Sequence, residues 1–288
     1  MTAADGSDDP ERRAYWTSQL NAAHRFMVRM LEYPVCECGE PAVSLREAVH
    51  ATGVTVRFSD TLIAGVFPRL FLLREGLIAP FVAAVRDLSR RGWVLTIEDG
   101  YRTTEMQRQL SLAPYVLDRI LAKVVWECGG RVPPQDLLFR RLTALTATSP
   151  KIGTHMSASA VDISVTDLGA GGELDRGGPY LEMSERTPMQ SPFIAEPAAR
   201  NRALISLAMG SHGFMAYPYE FWHYNQGDAY DEYLTGSGKP GRYGAVDVDP
   251  KTGRVTPLPD PCATLHPPDS FEAAMAGALE RLAGSRQA

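Results

Sequence analysis

Cysteine is scarce: Cys36, Cys38, Cys128 and Cys262 are the only four in 288 residues. So few thiols exclude a disulfide-built scaffold, and the C-x-C pair at 36–38 has no second pair at zinc-finger spacing. Lysine is scarcer relative to its usual abundance, occurring at 123, 151, 239 and 251, so arginine makes up the rest of the 29 basic residues. Positive charge is not in excess, and a net charge of −5 excludes a general nucleic-acid or anionic-membrane binder. Long apolar runs are missing too. Stretches such as "LIAGVFPRLFLL" are too short and interrupted to span a bilayer. The opening "MTAADGSDDPERRAYW" has no basic segment followed by an apolar one, so a cytoplasmic location with reduced thiols is expected. No internal repeat occurs. "GSGKPG" lacks the upstream glycine and the Ser/Thr after Lys239 that a phosphate loop needs, and "GAGGELDRGG" runs into Pro179 rather than a helix.

What is present is the composition of an ordinary globular protein, 44% hydrophobic and 22% charged. Residues 1–12 are small and acidic and read as a disordered tail; 13–288 read as one domain. Apolar residues at helical spacing predict a helix from Tyr15 to Leu31. Ser44 and Glu47 form a capping box for a second helix that Gly53 ends. "LIAPFVAAVRDLSRR" (77–91) is the clearest amphipathic helix, and "WVLTIEDGYR" follows as a strand with a turn at Asp99-Gly100. Helices are expected over 103–145, a strand at Val161–Val165, a glycine-rich loop, and a helix through "PAARNRALISLAMGSHG". Two short strands around Pro218, a hairpin turning at 250–253 and a last helix over 269–283 complete the reading. Helices and antiparallel-looking strands alternate irregularly, which predicts an α+β fold.

Two stretches carry chemistry. "THMSASAVDISV" holds His155 and Asp162, and "YEFWHY" holds Glu220 and His223. Two imidazoles and a carboxylate are the equipment of a catalytic zinc with one open position. A metal there acidifies water to a nucleophile near neutral pH, and a neighbouring glutamate can take the proton. A lone histidine, or an aspartate starting a strand, equally suits a purely structural role, and spacing does not decide between the two. Two-histidine-one-carboxylate sites also hold iron(II).

"HMSASAVDI" resembles the S-x-H-x-x-G-x-A-[VI]-D segment of the zinc D-alanyl-D-alanine peptidases, "EFWHY" resembles their E-x-W-H-[YF], and "EDGYR" resembles their D-x-Y-R. Order and separation also match, over roughly residues 60–235, most closely the vancomycin-resistance (VanX) type of cytoplasmic dipeptidase. The resemblance implies a compact α+β zinc-peptidase fold whose small central antiparallel sheet carries the metal between flanking helices. The N-terminal helices and the C-terminal hairpin and helix are then additions to the motif-bearing core.

It further implies one Zn²⁺ per chain on His155, Asp162 and His223, Glu220 as catalytic base, and Arg102 as the cation that steadies the substrate carbonyl. The activity implied is hydrolysis of the amide bond in a small peptide, most closely a D-Ala-D-Ala-type dipeptide. A D,D-carboxypeptidase or biosynthetic amide hydrolase using the same site, and a non-catalytic zinc-containing binding module, are the alternatives. Departures are specific. Ala158 replaces the family's glycine, so a positive φ in the loop there would carry some strain. Gly153 replaces the serine, and Thr103 stands where proline is common. In "PYLEMSE" the acid that would hold a substrate ammonium shifts from position 181, a leucine here, to Glu182. In a regular strand Glu220 and His223 would face opposite sides, so Glu220 must lie in a bend before pairing begins.

Overall fold

The computed structural model describes residues 9–285. In chain order the N-terminal elements are α1 (Pro10–Glu32), β1 (Ala42–Ser44), α2 (Leu45–Thr52), β2 (Val56–Phe58), β3 (Leu72–Arg74), α3 (Ile78–Ser89) and β4 (Trp93–Asp99). Three helices follow, α4 (Thr104–Leu112), α5 (Pro114–Glu127) and α6 (Gln135–Thr146). Then come β5 (Ala160–Asp167), β6 (Gly172–Glu173), α7 (Glu196–Gly210), β7 (Met215–Ala216) and β8 (His223–Asn225). The last elements are α8 (Ala229–Leu234), β9 (Val246–Val248), β10 (Val255–Pro257) and α9 (Pro268–Ser285).

The expected α+β class is what the chain adopts. The main sheet runs β2-β4-β5-β8-β7, with β6 on the far end of β5. Every pair in it is antiparallel except β2 with β4, which is parallel. The capping box at Ser44 forms, and Gly53 closes α2 at φ 68°. Residues 9–12 of the expected tail belong to α1 instead: Asp9 caps it and Pro10 occupies its first turn, where a missing N–H costs nothing. Residues 1–8 lie outside the described residues. No helix among the described residues is long and apolar enough to cross a membrane.

Strand alternation decides which face carries chemistry. Val161, Ile163 and Val165 of β5 point into the main core with Leu95 and Ile97 of β4, and α3 and α7 cover that face through Ala84, Val85, Leu88, Ile205 and Met209. Asp162 therefore faces the other way. A bulge makes Asp99 join it: Ile97 pairs with Ile163, but Asp99 rather than Glu98 pairs with Asp162. The extra residue re-aims the strand end, so Asp99, Asp162 and His223 form one cross-strand row on a single face.

Two buried arginines hold the segment that arches over this face. Arg202 of α7 donates to the carbonyls of Arg176 (2.6 Å), Arg186 (2.8 Å), Pro188 (2.8 Å) and Met189 (3.3 Å). Its guanidinium also lies 3.9 Å over the Phe221 ring, with Arg176 5.0 Å from the same ring. Burial pushes the Arg202 pKa down to about 10, the cost of a cation satisfied only by carbonyls. Arg202→Met would strand those acceptors and is expected to cost about 3 kcal/mol or more in urea unfolding.

Candidate metal centre and its cavity

His155 sits in a tight 3-10 turn, Thr154–Ser157, directly before β5. The turn closes on Ala158 at φ 54°, ψ 31°. The loop takes the left-handed conformation, and alanine bears the strain expected of it there. The strain of a Cβ there, about 1–2 kcal/mol, is offset by a methyl buried against Tyr101, Ala42 and Val246. Ser157 and Ser159 tie the turn down, with Ser159 Oγ donating to Asp228 at 2.6 Å. Asp228 in turn caps α8 and accepts from Asn225, which joins the start of β5 to the end of β8.

The imidazoles are oriented by their outer nitrogens. His155 Nδ1 lies 2.6 Å from the Gly100 carbonyl. A carbonyl only accepts, so Nδ1 carries a hydrogen and Nε2 is turned toward Asp162 Oδ1, 3.2 Å away. His223 Nε2 lies 2.8 Å from the Thr154 hydroxyl, and its Nδ1 is 2.9 Å from the same Asp162 oxygen. The hydroxyl that Gly153 fails to supply is thus replaced, one residue on, by Thr154. Asp162 Oδ2 turns outward and accepts from the Tyr180 hydroxyl at 2.9 Å.

One atom from each of His155, Asp162 and His223 therefore lies within 4.8 Å of the others, all three residues buried. The donor set fits a divalent cation. His155 Nε2 and His223 Nδ1 both face one oxygen of Asp162, at 3.2 and 2.9 Å, which brings together the nitrogen and oxygen donors that a divalent cation takes. Charge follows the same logic. Burial alone would raise the Asp162 carboxyl, but His155 and His223 outweigh it and hold it well below the usual carboxylate range. Burial lowers His223 despite the opposing pull of Asp162, which favours the neutral form a metal needs.

Glu220 lies where the geometry requires it. Residues 217–222 make two turns, with Glu220 N–H donating to Tyr217 (3.4 Å) and His223 N–H donating to Glu220 (3.3 Å), and pairing starts only at His223. Pro218 sits in the first turn, and Phe221 beneath it is gripped by the two arginines. Burial and the charge of Asp162 raise the Glu220 carboxyl well above its ordinary value, against a smaller opposing effect of Arg102.

Arg102 follows the bulge. Its Nε donates to Asp99 Oδ2 (2.7 Å) and its Nη1 to Gln107 (3.0 Å), leaving Nη2 3.7 Å from Asp162 Oδ2. Burial disfavours its charge, yet Asp99 and Asp162 more than restore it. Asp99 braces Arg102 and also makes the turn, through Oδ1 to the Gly100 N–H (2.9 Å). Thr103, in place of proline, caps α4 by accepting from Met106.

These side chains line one cavity of about 80 Å³, which includes Arg102, His155, Asp162, Glu220 and His223. Glu182 is not among its lining residues. Its buried carboxylate pairs with Arg186 (2.8 Å) and Ser184 instead, so the structure does not place it where a substrate-binding role requires. The shift of one position along the segment turns the side chain to the other side. Sequence reasoning missed three cavity residues. Arg69 reaches Asp99 Oδ2 at 2.9 Å from an irregular segment with no motif. Tyr180 was visible only as the aromatic in "PYLEMSE", and Thr154 only as the neighbour of His155.

Residues 133–237 match the family described as D-Ala-D-Ala dipeptidase, Peptidase_M15; that span includes the three clustered donors and Glu220 but not Arg102. A relative from Synechocystis sp., named D-alanyl-D-alanine dipeptidase, is 26% identical over 225 residues, 69% of this chain and 86% of the relative. Two others of the same name match locally: Escherichia coli K12, 34% identical over 24% of this chain and 36% of the relative, and Enterococcus faecalis, 31% over 25% and 35%. With the fold and the donor cluster already in hand, these matches make the chain similar, over the spans given, to the D-Ala-D-Ala dipeptidases and indicate a peptidase.

Proposed function

We propose that the protein is a zinc-dependent hydrolase of the peptide bond in a dipeptide-sized substrate ending in a D-amino acid, of the D-Ala-D-Ala type. The observation that carries this reading is the convergence of His155 Nε2, Asp162 Oδ1 and His223 Nδ1 in a cavity that Glu220 and Arg102 also line. The names of the relatives support the substrate class, and the small cavity suits a short peptide. The free cysteines among the described residues fit a cytoplasmic setting.

When bound, zinc supplies Lewis acidity, acidifying water and polarising the scissile carbonyl. The protein's own groups do the rest. Glu220, with its raised proton affinity, takes the proton from the attacking water and passes it to the leaving amine. Arg102, aligned by Asp99 and Gln107, offers Nη2 to the carbonyl oxygen as negative charge develops there. Tyr180 and the outer partners of the imidazoles keep the ligand atoms turned inward. A zinc-containing module without turnover has no use for Glu220 and Arg102 in the same cavity.

The test is a peptide panel with zinc-loaded protein: D-Ala-D-Ala and its acylated forms against their L-isomers and tripeptides. Cleavage of the D-dipeptides is expected, and cleavage confined to L-peptides or to longer peptides would overturn the reading. Arg102→Met should lower kcat by about a hundredfold, the usual cost of one oxyanion donor, with zinc content unchanged.

A further inference from the structure

We propose that the site prefers a dipeptide whose amino nitrogen is acylated over one with a free ammonium, and that Leu181 sets this preference. The inference rests on the proposed peptidase reading and names its substrate class more closely. An ammonium leaving water needs a carboxylate partner. Among the described residues that line the cavity, the carboxylates are Asp99, Asp162 and Glu220. Asp99 Oδ2 already holds the guanidiniums of Arg69 (2.9 Å) and Arg102 (2.7 Å). Asp162 faces both imidazoles and accepts from Tyr180. Glu220 is committed to proton transfer. None is left for an ammonium, and the two arginines add positive charge that repels one.

The position that would supply a partner carries an apolar side chain instead. Leu181 lines the cavity beside Met183, with Ile63, Leu110 and Val116 in the same wall. It is held there at φ 61°, a conformation few side chains take without cost. The acid next to it, Glu182, is turned away and neutralised by Arg186. An acyl group would lie against this wall without stranding a charge. Its amide N–H is neutral and needs no ion pair. Hydrolysis then adds water across the amide joining the two residues: the C–N bond breaks, hydroxyl goes to the carbonyl carbon and a proton to the amine. The products are an N-acyl-D-amino acid and a free D-amino acid.

The experiment compares N-acetyl-D-Ala-D-Ala with D-Ala-D-Ala on the zinc-loaded wild type and on Leu181→Asp. Aspartate tolerates the left-handed conformation better than leucine, so this variant should fold. The wild type is expected to favour the acetylated dipeptide by about tenfold or more in kcat/KM, and Leu181→Asp to shift the ratio toward the free dipeptide by about tenfold, as expected for one unpaired or paired buried charge. Dissociation constants measured with the Glu220→Gln protein should order the two ligands the same way. A wild type that cleaves or binds the free dipeptide as well or better overturns this inference and leaves the peptidase reading standing. An unchanged ratio in Leu181→Asp overturns the role of Leu181. Failure to cleave either D-dipeptide overturns the peptidase reading with it.

Discussion

Glu220→Gln is expected to keep its metal and lose hydrolysis by about a hundredfold or more, the usual weight of a general base. The glutamine keeps the shape of the side chain at the turn between Pro218 and Phe221 but cannot accept the water's proton. The ligand cluster is untouched, because Glu220 belongs to the turns before β8 and the ligands to the row Asp162–His223 and the turn at His155. Metal content by elemental analysis alongside kcat separates the two effects. Undiminished turnover would end this assignment.

The same substitution has a second, pH-dependent consequence for the metal-free protein. Burial and the nearby Asp162 raise the folded-state pKa of Glu220 above its unfolded value. The folded protein therefore holds a proton that the unfolded chain releases first. That contribution to stability is complete below the unfolded value of about 4.3, and it is lost as pH rises through the raised folded value. Glutamine does not titrate. Metal-free Glu220→Gln should therefore gain in Tm over the wild type as pH climbs from about 4 toward neutrality. Melting curves across that range check the sign; a difference independent of pH would contradict it.

His223→Ala is expected to lose both metal and activity. Removing it deletes one of three inward-facing donors, and the Thr154 hydroxyl, 2.8 Å from the ring, loses its partner. Even loss of an outer partner commonly costs about 10–100-fold in metal affinity, so loss of a ligand should exceed that. Because binding stabilises only the folded state, saturating zinc should raise the wild-type Tm and leave that of His223→Ala close to its metal-free value. A variant that binds zinc as tightly as the wild type would remove His223 from the ligand set.

How much of this was legible in the sequence differs by residue. The helices followed from local signals: the Ser44 capping box, Gly53 at a left-handed cap, and the apolar spacing of 77–91. The bend at Glu220 followed from parity, since an odd separation from His223 forbids a shared face in a straight strand. The motifs carrying His155, Asp162 and His223 lie in short segments whose convergence depends on strand pairing, yet the resemblance named all three and the cavity gathers them. Three things were not legible. The bulge that brings Asp99 opposite Asp162 has no marker residue in "IEDG". Arg69 reaches the site from an irregular stretch, so no periodicity aims it. The direction of Glu182 hinges on Leu181 at φ 61°, and nothing about a leucine announces a left-handed backbone. Ala158 was no clearer, because residue type predicts positive φ only statistically.

The most direct test of the account is zinc-edge X-ray absorption on the metal-loaded wild type. Predicted is one ion per chain in an all-nitrogen-and-oxygen shell with two imidazoles at about 2.0–2.1 Å. A shell containing sulfur, which would place the ion on cysteines such as Cys36 and Cys38, or a protein that takes up no zinc, would contradict it.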